Sequence, residues 1–161
     1  MSIRYLNLFR HGSAEASAAG GDFKRPLKKK GIQKAAETAR IMTEKGYKAD
    51  LIISSAALRA VQTAETFAAA SVPEYTSEII KLKSLYLPST EELFSVVAGI
   101  EPQFRDVFIF SHNNGISAFA GVMSGRAGII MPAGSVVRIG FDIDSWNEAG
   151  PGSGELAEFL P

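Results

Sequence analysis

Short apolar segments alternate along this chain with segments whose apolar residues recur at helical spacing, and this alternation constrains the fold most strongly. Strands are predicted at residues 4–9, 50–54, within 78–82, and at 107–110, 136–141 and 156–160. The last two are predicted to pair across the turn-rich residues 144–154. Strands that alternate with helices favour the α/β class with a mainly parallel sheet.

Four helices are predicted between these strands. The first spans residues 31–45 and ends at Gly46, and Ser54 or Ser55 is predicted to cap the second. The third begins at Ser89-Thr90-Glu91-Glu92. The predicted inner faces of the last three helices are Leu58, Val61, Ala64 and Ala68, then Leu93, Val96 and Val97, then Ile116, Phe119, Ala120 and Met123.

Length and composition limit the classes of protein to consider. A chain of 161 residues fits a single domain, expected to span residues 1–161. A formal net charge of +0 argues against a nucleic-acid-binding protein. The absence of cysteine excludes disulfides, thiolate metal sites and cysteine nucleophiles. We find no signal-peptide pattern and no apolar run long enough for a membrane helix, so a cytoplasmic location is expected. The sequence does not predict the oligomeric state.

The chain has two histidines, and each stands where a predicted strand ends. His11 follows the first strand, and His112 follows the strand at 107–110. In open α/β sheets, ligands bind in the crevice beyond the carboxyl ends of the strands. Two imidazoles at that edge, one of them beside Arg10, predict a site for an anionic substrate.

The tripeptide Arg10-His11-Gly12 has the residue types that phosphoryl transfer needs. A histidine directly after a strand is held on rigid backbone, which suits in-line attack on a bound electrophile. The arginine guanidinium matches two oxygens of a phosphoryl group, and the glycine lets the main chain approach a ligand closely. An ordinary surface turn is the alternative, since short motifs also match by chance.

Two further segments are predicted to reach the same edge. Arg59 lies in the first turn of a helix, where an anion in front of the helix would favour both its charge and the dipole. A solvated arginine is the alternative. His112 precedes Asn113-Asn114-Gly115, and a protonated imidazole there would donate to phosphoryl oxygens. A structural, hydrogen-bonded histidine is the alternative.

Together these segments resemble the histidine phosphatase superfamily, also called phosphoglycerate mutase-like. The small size, Arg25-Pro26-Leu27 and the C-terminal residues 146–161 are similar to its SixA-type phosphohistidine phosphatases. The resemblance implies a three-layer α/β/α sandwich and a covalent phosphohistidine intermediate on His11. It also implies that Arg10, Arg59 and His112 surround the phosphoryl group. Gly12 and Asn113 are included in the predicted binding set.

The predicted activity is that of a metal-independent phosphatase without a cofactor, acting on phosphohistidine in a partner protein. Glu91 and Glu92 are interpreted as helix-start residues, so no general acid is identified, which favours an activated phosphoryl substrate. Phosphate or sulfate is expected to occupy the site. The alternatives are a phosphatase of small phosphorylated metabolites, a non-catalytic phosphate-sensing or docking module, and a structural interaction domain. The basic residues 24–30 form a solvated face or steer an acidic partner.

Overall fold

A computed structural model describes residues 3–161 of the chain. The strands are β1 Ile3–Arg10, β2 Leu51–Ser55, β3 Ile79–Leu82, β4 Asp106–Ser111, β5 Val136–Asp142 and β6 Glu155–Leu160. The helices are α1 Lys29–Glu44, α2 Leu58–Ala70, α3 Thr90–Ala98 and α4 Gly115–Ser124. All six predicted strands and all four predicted helices are therefore present. Across residues 3–161, no helix combines the length and apolar character needed to cross a bilayer.

The strands form one sheet in the order β3-β2-β4-β1-β5-β6. The neighbours among β3, β2, β4 and β1 run parallel. β5 pairs antiparallel with β1 and β6 pairs antiparallel with β5, so the last two strands extend the sheet as a hairpin. The prediction of a mainly parallel sheet with a pairing of the last two strands is confirmed.

Helices cover both faces of this sheet because both faces of its central strands are apolar. α1 and α2 pack on one face through Ala39, Met42 and Phe67, which join Phe108 and Phe110 of β4. α3 and α4 pack on the other face, in a cluster that includes the following residues: Leu6 and Leu8 of β1, Leu93 and Val97 of α3, and Ile116, Phe119, Ala120 and Met123 of α4. The architecture is the predicted three-layer α/β/α sandwich.

The connections after β1 and β4 open the crevice that holds the site. These two strands are parallel neighbours, with Arg10 paired to Ser111 in the register. The chain leaves β1 toward α1 on one face and leaves β4 toward α4 on the other face. Adjacent strands whose connections diverge to opposite faces leave a gap at their carboxyl ends, where ligands bind in such sheets.

The start of α2 differs from the prediction in three respects. The helix begins at Leu58 after Ala57, so neither Ser54 nor Ser55 is its N-cap. The Ser55 hydroxyl instead contacts His112 and accepts from the amide of Ala57, the residue before the helix. Leu58, predicted to face the core, is 37% exposed, whereas Arg59 is only 2% exposed. The helix is rotated so that the arginine enters the site, and the interpretation of Arg59 as a solvated side chain is wrong.

The starts of α1 and α3 differ in whether a side chain caps them. α1 begins at Lys29, two residues before the predicted start, and Lys28 gives it no side-chain cap. At α3, the Ser89 Oγ accepts from the Glu92 amide at 3.1 Å, and the Glu92 carboxylate accepts from the Ser89 amide at 3.0 Å. This reciprocal capping fixes the start of α3 where the sequence predicts it.

Candidate active site

A cavity of about 470 Å³ opens at the carboxyl ends of the central strands. Its lining residues are Arg10, His11, Gly12, Ser13, Ala14, Asp22, Arg25, Arg59, Leu87, His112, Asn113 and Ala133. All six residues predicted for the site are among them, although they come from three separate parts of the sequence. The fold therefore brings the predicted residues together, and the contacts below define what each can do.

One nitrogen of the His11 ring bonds the backbone, and the other faces Arg59 with its lone pair. Its Nδ1 lies 2.7 Å from the Gly12 carbonyl oxygen, which requires the hydrogen to be on Nδ1. The lone pair on Nε2 then accepts a hydrogen bond from Arg59 Nε at 3.3 Å. Burial lowers the pKa of His11 to about 4, and the nearby Arg59 and Arg10 charges add to this shift. His11 is therefore neutral at physiological pH, with Nε2 available as a nucleophile.

The His112 ring is buried, and one of its nitrogens bonds Ser55. It is 1% exposed, and its Nε2 lies 2.8 Å from the Ser55 hydroxyl oxygen. That oxygen already accepts from the Ala57 amide, so its own hydrogen is free to bond Nε2. The hydrogen of the neutral ring then belongs on Nδ1, which is buried without a partner among residues 3–161. Burial lowers the pKa of His112 to about 3, and the His11 and Arg59 charges contribute.

The two predicted arginines are fixed by different partners. Arg10 donates from Nη1 to the Met131 carbonyl at 2.8 Å, and its Nε is buried with no partner in the described chain. Arg59 donates from Nη1 to the Asp22 carbonyl at 2.7 Å and from Nη2 to the Asp22 carboxylate at 3.0 Å. Arg10 Nε and His112 Nδ1 are therefore buried donors without a partner among residues 3–161, on two side chains that line the cavity.

Thr63 ties α2 to the loop that follows β1. Its hydroxyl donates to the Arg59 carbonyl at 2.7 Å and accepts from the Gly12 amide at 3.0 Å. Gly12 thus does not offer its amide to a ligand. A Cβ at Gly12 would lie 3.0 Å from the Gly31 carbonyl oxygen, so close packing against α1 requires glycine here. The sequence analysis did not identify this packing, and approach of the main chain to a ligand at Gly12 stays a prediction.

Asn113 lines the cavity with its amide engaged by neighbouring groups. Its Nδ2 donates to the Met131 carbonyl at 3.3 Å, and its Oδ1 accepts from the Ser117 hydroxyl. The Met131 carbonyl therefore accepts from both Arg10 and Asn113. Asn113 helps to fix the loop behind the two histidines, and its direct binding of substrate stays a prediction.

The sequence analysis missed a carboxylate in the cavity, Asp22. Its carboxylate accepts from Tyr86 Oη at 2.5 Å and from Arg25 Nε at 2.8 Å, besides Arg59. The Tyr86 hydrogen bond, followed by those from the two arginines, lowers the pKa of Asp22 below its usual range, so the group is ionised. A lone aspartate in a polar loop carries no periodicity or motif that marks it. Glu91 and Glu92 do not line the cavity.

No group of three or more His, Asp or Glu side chains within residues 3–161 is arranged to hold a metal ion. Independence from metals and cofactors stays a prediction.

Both histidines are expected to titrate far below the usual value of 6.5, near pH 4 for His11 and pH 3 for His112. Because the chain has only two histidines, ring-proton NMR resonances resolve them directly. Adding phosphate should raise the pKa of His112, since an anion favours the imidazolium. A midpoint near 6.5 for either ring in the free protein would contradict this arrangement.

The same shifts make the free energy of unfolding depend on pH. Both folded-state pKa values lie below the unfolded value of 6.5. Below pH 6.5 the unfolded chain binds more protons than the folded chain, so stability decreases as the pH falls toward about 4. Chemical denaturation measured across this range tests the sign. The double variant His11→Gln/His112→Gln is the control, and it should lose this part of the pH dependence.

Known proteins resemble this chain in sequence and in fold. The histidine phosphatase superfamily (branch 1) matches residues 6–83. No curated protein sequence matches significantly. A protein assigned as the SixA phosphohistidine phosphatase of Nakamurella multipartitia superposes with a TM-score of 0.86 at 18% identity, over 100% of this chain and 97% of that one. A SixA protein histidine phosphatase complexed with tungstate gives 0.83 at 18% identity, over 97% and 96%. A mycobacterial glucosyl-3-phosphoglycerate phosphatase gives 0.71 at 16% identity, over 97% and 98%.

At these identities the structural neighbours establish the fold, and the family match covers the segments that carry Arg10, His11 and Arg59. The family match over residues 6–83 and the shared fold confirm the resemblance to the histidine phosphatase superfamily that the sequence analysis predicts. Both findings support a hydrolase of the phosphatase class.

Proposed function

We propose that the chain dephosphorylates phosphohistidine in a partner protein through a covalent intermediate on His11. The observation that carries this proposal is the state of the His11 ring, whose Nδ1–H bonds the Gly12 carbonyl while Nε2 presents its lone pair. Nε2 attacks phosphorus in line, a new N–P bond forms, and the N–P bond to the substrate imidazole breaks. The bonding pair leaves with the substrate nitrogen, which takes a proton from solvent.

Hydrogen bonds around His11 favour the phosphorylated state over the free state. The ring gains positive charge when Nε2 is phosphorylated, and the Gly12 carbonyl at 2.7 Å from Nδ1 stabilises that charge. Nε2 then no longer accepts from Arg59, so Arg59 Nε–H is released to donate to a phosphoryl oxygen. An interaction gained only as the reaction proceeds lowers the barrier rather than merely tightening substrate binding.

Water completes the cycle. It attacks phosphorus, the Nε2–P bond breaks, the electron pair returns to Nε2, and the proton from water passes to the departing phosphate or to solvent. Arg10, Arg59 and His112 stabilise the charge on the phosphoryl oxygens in both steps. Charge-assisted hydrogen bonds of this kind contribute about 1.5–3 kcal/mol each.

The ionised state of Asp22 supports a phosphohistidine substrate over an alkyl phosphate. Asp22 is the carboxylate among the lining residues, and with its lowered pKa it is a poor proton donor at neutral pH. An alkoxide leaving group needs a proton from a general acid, whereas an imidazole departs more easily without one. The expected phosphate or sulfate ligand is consistent with a neighbouring SixA structure that binds tungstate. A cytoplasmic location stays a prediction.

A rapid-quench experiment with a ³²P-phosphohistidine peptide tests the proposal. We expect the wild-type protein to release inorganic phosphate and to carry a transient label that is lost in acid and stable in alkali. Mapping should place the label on His11. A peptide phosphorylated on serine is the matched substrate, and we expect it to turn over more slowly.

Three other outcomes lead to different conclusions. Turnover of sugar or glycerol phosphates with none of the phosphohistidine peptide would favour a phosphatase of small metabolites. Binding of phosphate or vanadate without hydrolysis of any substrate would favour a non-catalytic phosphate-sensing module. Failure to bind any anion at the cavity would leave a structural interaction domain.

A further inference from the structure

Leu87 has a backbone conformation that leucine rarely adopts. Its φ is +47°, and it is the non-glycine residue with positive φ among residues 3–161. The left-handed region costs an L-residue with a Cβ about 1–2 kcal/mol. The side chain is also 55% exposed and lines the cavity. Both the backbone conformation and the exposed apolar side chain of Leu87 therefore destabilise the folded state.

The surrounding structure holds Leu87 in this conformation from both sides. On one side, Leu85 is fully buried and its carbonyl accepts from the Ser111 hydroxyl at 2.7 Å. The intervening Tyr86 donates to the Asp22 carboxylate at 2.5 Å. On the other side, the Pro88 carbonyl oxygen packs against α4, where it would lie 2.3 Å from a Cβ at Gly115. Strained residues fixed in this way cluster at functional sites.

Leu87 also differs chemically from the rest of the cavity wall. Of the lining residues, it is the large apolar side chain among charged, polar and small ones. In the proposed function Arg10, Arg59 and His112 bind the phosphoryl group, and of these Arg59 and His112 are almost fully buried. Leu87 lies at the exposed rim of the cavity. It is therefore placed to contact the leaving group, which is the part of the substrate to which the phosphoryl group is attached.

We propose that Leu87 is a specificity-determining residue that packs against the leaving group and selects a flat or apolar one, such as an imidazole ring, over a polyhydroxyl or carboxylate-bearing one. This inference rests on the proposed function, since it names what that same site accepts. Tyr86, which precedes Leu87, packs its ring edge-on against those of His112 and Phe23, with centroid distances of 5.4 Å and 5.0 Å.

The test compares kcat/KM for a phosphohistidine peptide and for glycerol phosphate in Leu87→Gly and Leu87→Ala. Loss of the apolar contact should lower the ratio of the two kcat/KM values by about 10-fold or more. Ile32→Gly and Ile32→Ala are matched controls, because Ile32 is 42% exposed on α1 and lies outside the cavity. They should leave the ratio unchanged.

The same variants test the strained backbone through the melting temperature. At a left-handed position glycine is favoured, so Leu87→Gly should melt about 2–8 °C above Leu87→Ala. At Ile32, within a helix, the order should reverse, with alanine about 2–4 °C above glycine. An unchanged substrate ratio in both Leu87 variants, or alanine more stable than glycine at position 87, would overturn the inference. Wild-type protein inactive on the peptide would instead reject the proposed function and the inference with it.

Discussion

Replacing His11 with glutamine will lower kcat by about 10⁴-fold or more, because the amide nitrogen has no lone pair to attack phosphorus. Glutamine is close in size and still offers a polar group to the Gly12 carbonyl, so the fold should persist. Steady-state release of phosphate measures the loss, and acid-quenched gels should show no ³²P-labelled protein.

His112→Gln is the informative control for that experiment. It removes a donor to the phosphoryl oxygens but leaves the nucleophile, so it should lose about 10²–10³-fold in kcat and still form the labelled intermediate. If His11→Gln keeps turnover within 10-fold of wild type, a direct attack by water replaces the covalent route, and the mechanism proposed for His11 is wrong.

Of the substitutions proposed here, Arg138→Met is expected to cause the largest loss in the free energy of unfolding. Arg138, on β5, is 5% exposed and donates to both carboxylate oxygens of Asp106, at 2.9 Å each, and to Asn7 at 2.9 Å. Its guanidinium also lies 3.9 Å from the ring centroids of both Tyr5 and Tyr47. Removing it leaves a partly buried carboxylate unpaired, which costs about 3–5 kcal/mol. The melting temperature should drop by about 6–20 °C.

Two comparisons separate this effect from the loss of packing alone. The double variant Asp106→Asn/Arg138→Met should recover part of the stability, because no uncompensated charge remains. Arg40→Met breaks the exposed pair of Arg40 with Glu37 and should change the free energy of unfolding by less than about 1 kcal/mol. Equal losses for Arg138→Met and Arg40→Met would show that the buried pair is not a significant source of stability.

The sequence predicts the fold well because periodicity and burial agree along most of the chain. Ile116, Phe119, Ala120 and Met123 recur at helical spacing, and all four are fully buried in α4. The site is predictable for a different reason. Histidines that directly follow strands need only the sheet itself to bring them together, and the ring centroids of His11 and His112 lie 5.0 Å apart.

The rest of the site depends on contacts that local patterns do not record. Asp22 and Tyr86 are 64 residues apart and meet through a single hydrogen bond between two loops. The exposure of Leu58 also follows from contacts between residues that are distant in sequence. A helical pattern favours leucine inward, but the bonds of Arg59 to Asp22 and His11 set the rotation of the helix. Neighbours distant in sequence therefore decided the positions of Asp22, Leu58 and Arg59.

Gly31, in the first turn of α1, and Gly12, which follows His11, limit how this site could be transferred to another protein. A methyl group at Gly31 would lie 2.4 Å from the Ser13 carbonyl oxygen, and one at Gly12 would lie 3.0 Å from the Gly31 carbonyl oxygen. The two main-chain segments pack so closely that a Cβ at Gly31 has no room and one at Gly12 is tightly confined. Grafting Arg10-His11-Gly12 onto another α/β scaffold therefore requires grafting the first turn of α1 with it, although that turn adds no side chain to the cavity.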